Sequence, residues 1–309
     1  MIHLLKQEAL SRNNALKIVS VNRLHELKSD IEHFKIENQL NNFQKWIVND
    51  LYSFEVPKAD FDIQSIVIIA IPHPAYAKVA FIRNGKCYYF PSPIMSDFGN
   101  TDRYLNHFMA KHGLHTRPAF KLPLKRLAAR SGLSVYGRNN ITYVDGMGSF
   151  FSYLACYTDL PCDEDDWTDM KQADMCTDCT LCLTSCPTKA IGHDRFLIDN
   201  TKCLSFLNES PEELPDWVPV SAHHSVYDCL KCQLKCPMNH AYANNVDTTI
   251  TFDETETALL LESGDSDSFP SALKQKVMIL GMDQWIRAIP RNLELLFEQS
   301  DSNRENAIH

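Results

Sequence analysis

The 309-residue chain has no hydrophobic run long enough to cross a bilayer. Its longest, Ile66 to Ile71, stops at Pro72, far short of the roughly 20 residues a membrane helix needs. It shows no export signal either, because Met1-Ile2-His3-Leu4-Leu5-Lys6-Gln7-Glu8 turns polar too early to form a signal-peptide core. Repeats and low-complexity tracts are missing, and so is an excess of positive charge. The chain has 30 Lys and Arg against 39 Asp and Glu, a net −9 that counts against a general nucleic-acid binder. With 44% hydrophobic and 22% charged residues, the expectation is a globular cytoplasmic protein with no membrane partner, built as one large domain or a few small ones.

What is abundant is cysteine, with eleven residues. Without an export signal, thiols in a reducing compartment are ligands more readily than disulfides. Cys87, Cys156 and Cys162 are scattered and read as ordinary semi-buried thiols. The other eight lie between Cys176 and Cys236 in a regular pattern. Cys176, Cys179, Cys182 and Cys186-Pro187 read C-x2-C-x2-C-x3-C-P; Cys229, Cys232 and Cys236-Pro237 repeat that run without its first member, which Cys203 supplies. Three cysteines two residues apart let one tight loop offer three thiolates to three corners of a cube, while the C-P cysteine ligates the other cluster. The rule predicts two [4Fe-4S] clusters, one on Cys176, Cys179, Cys182 and Cys236, the other on Cys186, Cys203, Cys229 and Cys232. Two structural zinc sites could also use eight cysteines, but zinc motifs pair C-x2-C knuckles rather than triplets ending in C-P.

Around this module the pattern predicts an α+β protein: an N-terminal mixed-sheet α/β cofactor domain (1–165), a ferredoxin-like double-cluster module (166–250) and a C-terminal helical segment (251–309). The first fifty residues read as helical, with Ala15 to Lys35 as one helix; Ser65 to Ile71, apolar on both faces, reads as a central buried strand. Asn84-Gly85 marks a hairpin between 79–83 and 86–90. Tyr104 to His112 and Leu122 to Ser131 read as helices, and 140–144 and 149–155 as strands around Asp145-Gly146. Ser271 to Phe297 reads as a helix broken at Pro290, and the last nine residues as a frayed polar end. Charge is uneven. From Thr101 to Asn140 there are eight Lys or Arg against Asp102 alone, a surplus that could focus an anionic ligand or could be a solvated helix face.

The order of these motifs resembles the epoxyqueuosine reductase family. The similarity rests on C-x2-C-x2-C-x3-C-P-T-x-A-I, on Arg195-Phe196-Leu197-Ile198-Asp199-Asn200-Thr201-Lys202-Cys203, and on Cys229-Leu230-Lys231-Cys232-Gln233-Leu234-Lys235-Cys236-Pro237-Met238-Asn239. Upstream, Ser131-Gly132-Leu133-Ser134-Val135-Tyr136-Gly137-Arg138-Asn139 and Gly148-Ser149-Phe150-Phe151 are similar to the family's cofactor-domain segments, as is Ile279 to Arg287 downstream. The resemblance implies a cobalamin in the N-terminal domain, fed electrons by the two clusters and by a ferredoxin- or flavodoxin-type donor. It places Arg138, Asn139, Asn140 and Tyr143 at that cofactor, with Arg117 nearby. The family's D-S-x-P element has its nearest counterpart in His115-Thr116-Arg117-Pro118, which makes His115 the candidate proton donor. The same histidine also reads as a surface residue in a basic stretch.

Three functional readings follow. The leading one is an iron–sulfur oxidoreductase that passes electrons through both clusters to a corrinoid and an unknown, anionic substrate. An electron-transfer or redox-sensing protein without substrate chemistry is the second. A tRNA epoxyqueuosine reductase is the third, disfavoured by the net charge and by the lack of the helical repeats that follow the clusters in longer family members.

Overall fold

The computed structural model describes residues 1–193, 197–262 and 264–306, leaving out the side chains of 304–306. The family-like pair Arg195-Phe196 and the final residues 307–309 lie outside the described residues. The strands, in chain order, are β1 (Ala15–Ser20), β2 (Ser65–Pro72), β3 (Tyr76–Arg83), β4 (Lys86–Ser92), β5 (Thr116–Pro118), β6 (Val135–Tyr136), β7 (Thr142–Tyr143), β8 (Phe151–Thr158), β9 (Val246–Asp247) and β10 (Thr251–Phe252).

The principal sheet has the order β1-β2-β8-β5, and every pairing in it is antiparallel. Its centre is β2, whose alternating side chains face two cores. Ile66, Ile68 and Ala70 pack with Leu24, Leu27, Leu127 and Ala128 on one face; Val67, Ile69 and Ile71 pack with Leu5, Leu105 and Met109 on the other. Covered on both sides, such a strand has no polar face to present, which is why its sequence is a continuous apolar run. The result is a three-layer sandwich with Leu24–Glu37 and Leu124–Arg130 on one side and Ile2–Ser11 and Phe98–Lys111 on the other.

A second, mixed sheet is formed by the β3–β4 hairpin, which turns at Asn84-Gly85, with β9 and β10 each adding to β3 in parallel. Its inner face carries Phe81, Phe90 and Phe252, which pack against Val277, Leu293 and Phe297 of the C-terminal helices. Those helices therefore build their core with the N-terminal hairpin. Tyr227 joins the same core from the cluster module and donates its hydroxyl to the Leu280 carbonyl at 2.5 Å.

Several sequence expectations are corrected. Ala15 to Lys35 is not one helix: Ala15–Ser20 is β1, held by six-residue antiparallel pairing with β2, and the helix starts only at Leu24. The β-branched Ile18-Val19 pair favours a sheet as readily as a helix, and neighbouring apolar positions serve either period. The C-terminal helix breaks at left-handed Gly281 (φ +68°) rather than at Pro290. Pro290 instead sits in the first turn of Ile289–Asn306, where its missing N–H costs nothing. That helix continues to Asn306, so residues 301–306 are not frayed. Cys87 is exposed, because it points outward on β4 between inward-facing Tyr88 and the hairpin turn; Cys156 is buried. Among the described residues no helix is long and apolar enough to cross a membrane.

Candidate functional site

Each cysteine triplet is laid out by a short loop and a one-turn helix, Leu181–Ser185 for the first and Lys231–Leu234 for the second. The C-P cysteines Cys186 and Cys236 adopt extended backbone at the ends of these turns, so the proline that follows carries each chain away. The sulfurs gather in two sets. Cys182 lies beside Cys176, Cys179 and Cys236; Cys229 lies beside Cys203 and Cys186, and Cys232 beside Cys229 and Cys203.

Cys176, Cys182, Cys186 and Cys236 are buried, and Cys179, Cys203, Cys229 and Cys232 are partly buried. Burial, reinforced by the neighbouring thiols, pushes Cys182 up to about 11, and burial pushes Cys229 up to about 12. A crowded buried thiol set ionises only when a cation compensates it, which is the demand iron meets. The first set lines a small recess, about 20 Å³, bounded also by Arg138, Asn139 and Tyr143.

These three residues lie on the turn between β6 and β7. Arg138 is buried and works as a clamp. Its guanidinium donates to the carbonyls of Cys176 (2.6 Å), Cys179 (3.0 Å) and Thr177 (3.3 Å), and its backbone N–H points at Cys176 Sγ (3.5 Å). The Asn139 amide donates to Tyr143 Oη at 3.0 Å, and both side chains line the recess beside Cys236. Asn140 takes a left-handed backbone (φ +60°), and its carbonyl accepts from Lys125 Nζ at 3.2 Å. The turn expected at the organic cofactor thus faces the cysteines, and only its Asn140 end reaches toward the cavity.

That cavity, about 340 Å³, opens between the N-terminal sheet and the cluster module. One wall comes from the ends of β2 and β8 with Lys125 and Thr142; the other is Asp228, Leu230 and Gln233, which flank Cys229 and Cys232; Trp285 closes a third side. The second cysteine set is therefore the one next to the cavity. Lys125 remains open to water through the cavity mouth, yet the protein packed around its ammonium lowers its pKa. Tyr153 donates to Thr142 Oγ1 at 3.0 Å, and burial pushes its hydroxyl up to about 12. His73 donates Nδ1–H to the Pro74 carbonyl at 2.7 Å, and burial lowers its pKa.

The two halves are pinned together through Ser149. Its N–H donates to Asn239 Oδ1 (2.9 Å) and its hydroxyl to Gln233 Oε1 (2.8 Å), while Asn239 Nδ2 donates back to Ser149 Oγ (2.8 Å). Neighbouring Gly148 has φ +61°, and a Cβ there would collide with Asn239 Oδ1 and the Tyr242 ring. This explains why a family-like Gly-Ser pair in the sheet domain accompanies Pro-Met-Asn after the last cysteine.

His115 lies elsewhere. It is exposed, its ring stacks on Phe61, and Nδ1 donates to Asp159 Oδ2 at 2.7 Å, beyond the end of β8 remote from the cavity. Six residues of extended chain separate Tyr153 from Asp159, about 20 Å. Arg117 is exposed on β5. The basic stretch disperses: Arg130 pairs with Asp30 and Asp169, Arg126 lies over the Phe34 ring, Arg138 holds the cysteine loop, and Lys125 lines the cavity. Cys162 stays with the acidic boundary, its thiol directed at the Glu164 carbonyl (3.6 Å). The sequence reading missed Tyr153, Thr142, His73 and Gln233 at the cavity. Tyr153 follows the family-like Gly-Ser-Phe-Phe by two residues, Gln233 lies within the second cysteine run and Thr142 adjoins Tyr143, whereas His73 had no signal.

Residues 175–239 match the family model described as a 4Fe-4S double cluster binding domain, and the chain is a double-cluster iron–sulfur protein. Among curated relatives, it is 37% identical over 116 residues to an epoxyqueuosine reductase of Cyclobacterium marinum, a match covering 37% of this chain and 36% of that one. It is 23% identical over 286 residues to an epoxyqueuosine reductase of Atelocyanobacterium thalassa, covering 83% and 90%. Matches to the first of these relatives thus span about a third of their length. The fold is that of the epoxyqueuosine reductase structure from Bacillus subtilis (TM-score 0.65, 21% identity, 96% of this chain and 82% of that one). An epoxyqueuosine reductase solved with an epoxyqueuosine-modified tRNA stem loop matches equally well (TM-score 0.65, 20% identity, 96% and 81%).

Proposed function

We propose that the chain is an epoxyqueuosine reductase-like protein that carries single electrons through two [4Fe-4S] clusters into the cavity and there removes the oxygen of an epoxide in a tRNA base. One cluster is held by Cys176, Cys179, Cys182 and Cys236, the other by Cys186, Cys203, Cys229 and Cys232. Residues 1–165 act as the cofactor and substrate domain, 166–250 as the cluster module and 251–309 as a helical support. The observation that carries this reading is the shared wall: Leu230 and Gln233, beside Cys232, line the same cavity as the sheet domain.

The cavity's lining suits one face of a corrinoid. Its volume, about 340 Å³, lies at the lower end of the roughly 300–1,000 Å³ range of small-molecule sites. Its lining alternates flat apolar surface, from Trp285 and Phe151, with the amide and hydroxyl groups of Gln233, Gln284, Thr142 and Ser152, which suits a planar ring edged with amides. When bound, a reduced corrinoid supplies a low-potential cobalt centre toward the epoxide. Overall, the epoxide takes up two electrons and two protons, both carbon–oxygen bonds break, and an alkene and water leave. The electrons come from a low-potential one-electron protein donor.

The chain's own part is to position and to protonate. Tyr153, kept neutral by burial and oriented by Thr142, donates a proton to the departing oxygen. Lys125 places a positive charge at the cavity wall, where it draws in a phosphate-bearing substrate. His115 is not in contact with this chemistry, and its partner is Asp159.

The test uses anaerobically reconstituted full-length protein, cobalamin, a chemical reductant and tRNA carrying epoxyqueuosine, followed by nucleoside mass spectrometry. Conversion to the deoxygenated nucleoside is expected. Unchanged epoxide from protein loaded with iron and corrinoid overturns the tRNA substrate. Failure to take up corrinoid overturns the corrinoid route and leaves the electron-transfer or sensing role.

A further inference from the structure

Among the described residues, His73 is the only histidine in the cavity lining. It follows directly on β2, the central strand of the principal sheet, and sits between Pro72 and Pro74. Each proline ring fixes its own backbone angle, and a residue before proline is held to extended backbone. Hydrogen bonds pin the segment on both sides. The His73 N–H donates to the Phe150 carbonyl at 3.0 Å, and the Ala75 N–H donates to the Asn245 carbonyl at 2.7 Å. The imidazole therefore stands on a fixed platform at the cavity wall.

The protonation pattern of the ring follows from its partner. Nδ1 lies 2.7 Å from the Pro74 carbonyl oxygen, which can only accept, so Nδ1 carries the hydrogen. Burial lowers the pKa of the ring; the Pro74 and Phe151 backbone and the Asp228 charge oppose this without reversing it. A neutral imidazole protonated at Nδ1 has a bare lone pair at Nε2. That is the tautomer of a metal-ligating histidine, whose other nitrogen is tied to a carbonyl that orients the ring and raises its basicity. The charged and hydroxyl groups along the same lining are engaged in other ways. Tyr153 donates to Thr142, Lys125 donates to the Asn140 carbonyl, and Asp228 Oδ1 accepts the Cys229 N–H at 2.6 Å.

We propose that His73 ligates the metal of the corrinoid through Nε2, taking one axial position from the sheet side of the cavity. The inference rests on the corrinoid reading proposed above. The macrocycle supplies the equatorial nitrogens, so a single protein side chain completes the site and no cluster of ligands is required. The bond forms by donation of the Nε2 lone pair to cobalt. A water or the cofactor's own base leaves, the metal keeps its oxidation state, and Nδ1 keeps its hydrogen. Tyr153 stands opposite Ala70, three residues before His73. That is about 10 Å along the strand, which separates the metal ligand from the proton donor.

The experiment is electron paramagnetic resonance of the full chain, reconstituted anaerobically with iron, sulfide and cobalamin. The sample is poised with divalent cobalt and both clusters oxidised, so that the cobalt signal is read alone. Protein grown on nitrogen-15 histidine is measured beside unlabelled protein. An axial nitrogen splits the resolved cobalt lines into triplets when unlabelled and into doublets when it is nitrogen-15. The expected result is a triplet that becomes a doublet when histidine is labelled. A triplet in both samples assigns the nitrogen to the cofactor's own base and overturns the inference, and so does the absence of splitting. His73→Gln is expected to take up corrinoid and to lose the doublet; a doublet that persists in this variant assigns another histidine and overturns the inference equally. Should the variant not assemble, the labelled parent decides, since no other described histidine lines the cavity. A purely structural role for His73 would lower corrinoid uptake in the variant and leave the parent without label-dependent splitting. Corrinoid uptake is measured first. A parent that takes up none overturns the corrinoid reading and the inference with it, whereas bound corrinoid without a histidine doublet overturns the ligand alone.

Discussion

Arg138 offers the sharpest single test of how the first cluster loop is held. Its guanidinium donates to three carbonyls of the 176–179 loop, at 2.6, 3.0 and 3.3 Å, and the residue is only 8% exposed. Arg138→Met keeps the aliphatic stem and removes all three bonds together with the charge. Hydrogen bonds to a charged group contribute about 1.5–3 kcal/mol each, and carbonyls left buried without partners add a penalty. Water can reach part of the loop, since Thr177 and Asp178 are exposed, so the three losses do not add in full. A net cost of about 3 kcal/mol to the loaded loop is the reasonable figure, on the order of a hundredfold in cluster retention. The assay is the loss of visible absorbance and of iron when anaerobic holoprotein meets an iron chelator. About four of the eight irons should leave early in the variant, because Arg138 grips only one loop, and the rest should leave at the parent rate. A release curve matching the parent's, or equal acceleration of all eight irons, refutes the clamp.

Other outcomes follow from the same contacts. Tyr153→Phe should lower kcat by about 100-fold or more while corrinoid uptake and iron content stay at parent levels, as loss of a general acid requires; kcat within error of the parent removes Tyr153 from the chemistry. Gly148→Ala forces a left-handed backbone on a residue with a Cβ and drives that Cβ into Asn239, so thermal unfolding should show a loss of about 1–3 kcal/mol and weaker docking of the cluster module. For His115, the hydrogen bond it donates to Asp159 raises the pKa; for Asp159, burial works upward but the His115 N–H and ring outweigh it and hold the carboxyl low. The pair's contribution is therefore full below the ordinary histidine value and above the ordinary aspartate value. It is lost as pH rises through the raised His115 value or falls through the lowered Asp159 value. His115→Gln should flatten the alkaline arm of a stability-versus-pH curve without changing cluster content or activity, and loss of activity would return His115 to the mechanism.

What the sequence disclosed and what it hid follow from one physical distinction. The cysteine pattern was legible because a cluster is bound by local loops: spacing along the chain and spacing around the metal are nearly the same quantity over three to ten residues. The central strand β2 was legible for a related reason, since burial on both faces writes itself into consecutive residues. Ala15–Ser20 was not, because its strand state is decided by pairing with residues fifty positions away. Nor was the break at Gly281 legible against the competing signal of Pro290, because a proline in a first helical turn ends nothing.

The cavity belongs to the hidden class. Its walls come from the ends of β2 and β8, the helix carrying Lys125, the loop around Cys232 and the segment around Trp285, and each contributes only one or a few residues. No spacing rule connects them. A resemblance therefore directs attention to whichever nearby segment has a compact motif, here Gly-Arg-Asn, and assigns it to the organic cofactor. In the structure that motif is compact because its contacts are local: one glycine clears room for a tyrosine ring, one arginine holds the 176–179 loop, and one asparagine donates to the tyrosine hydroxyl. A large planar group needs the opposite arrangement, a wide surface assembled from distant elements. The sequence could thus name the parts that move electrons far better than the part that uses them. Substrate specificity in this chain should accordingly follow the scattered cavity residues, Tyr153, Lys125, Gln233 and Trp285, and substitutions in the Gly-Arg-Asn turn should alter electron supply without altering which substrate is taken.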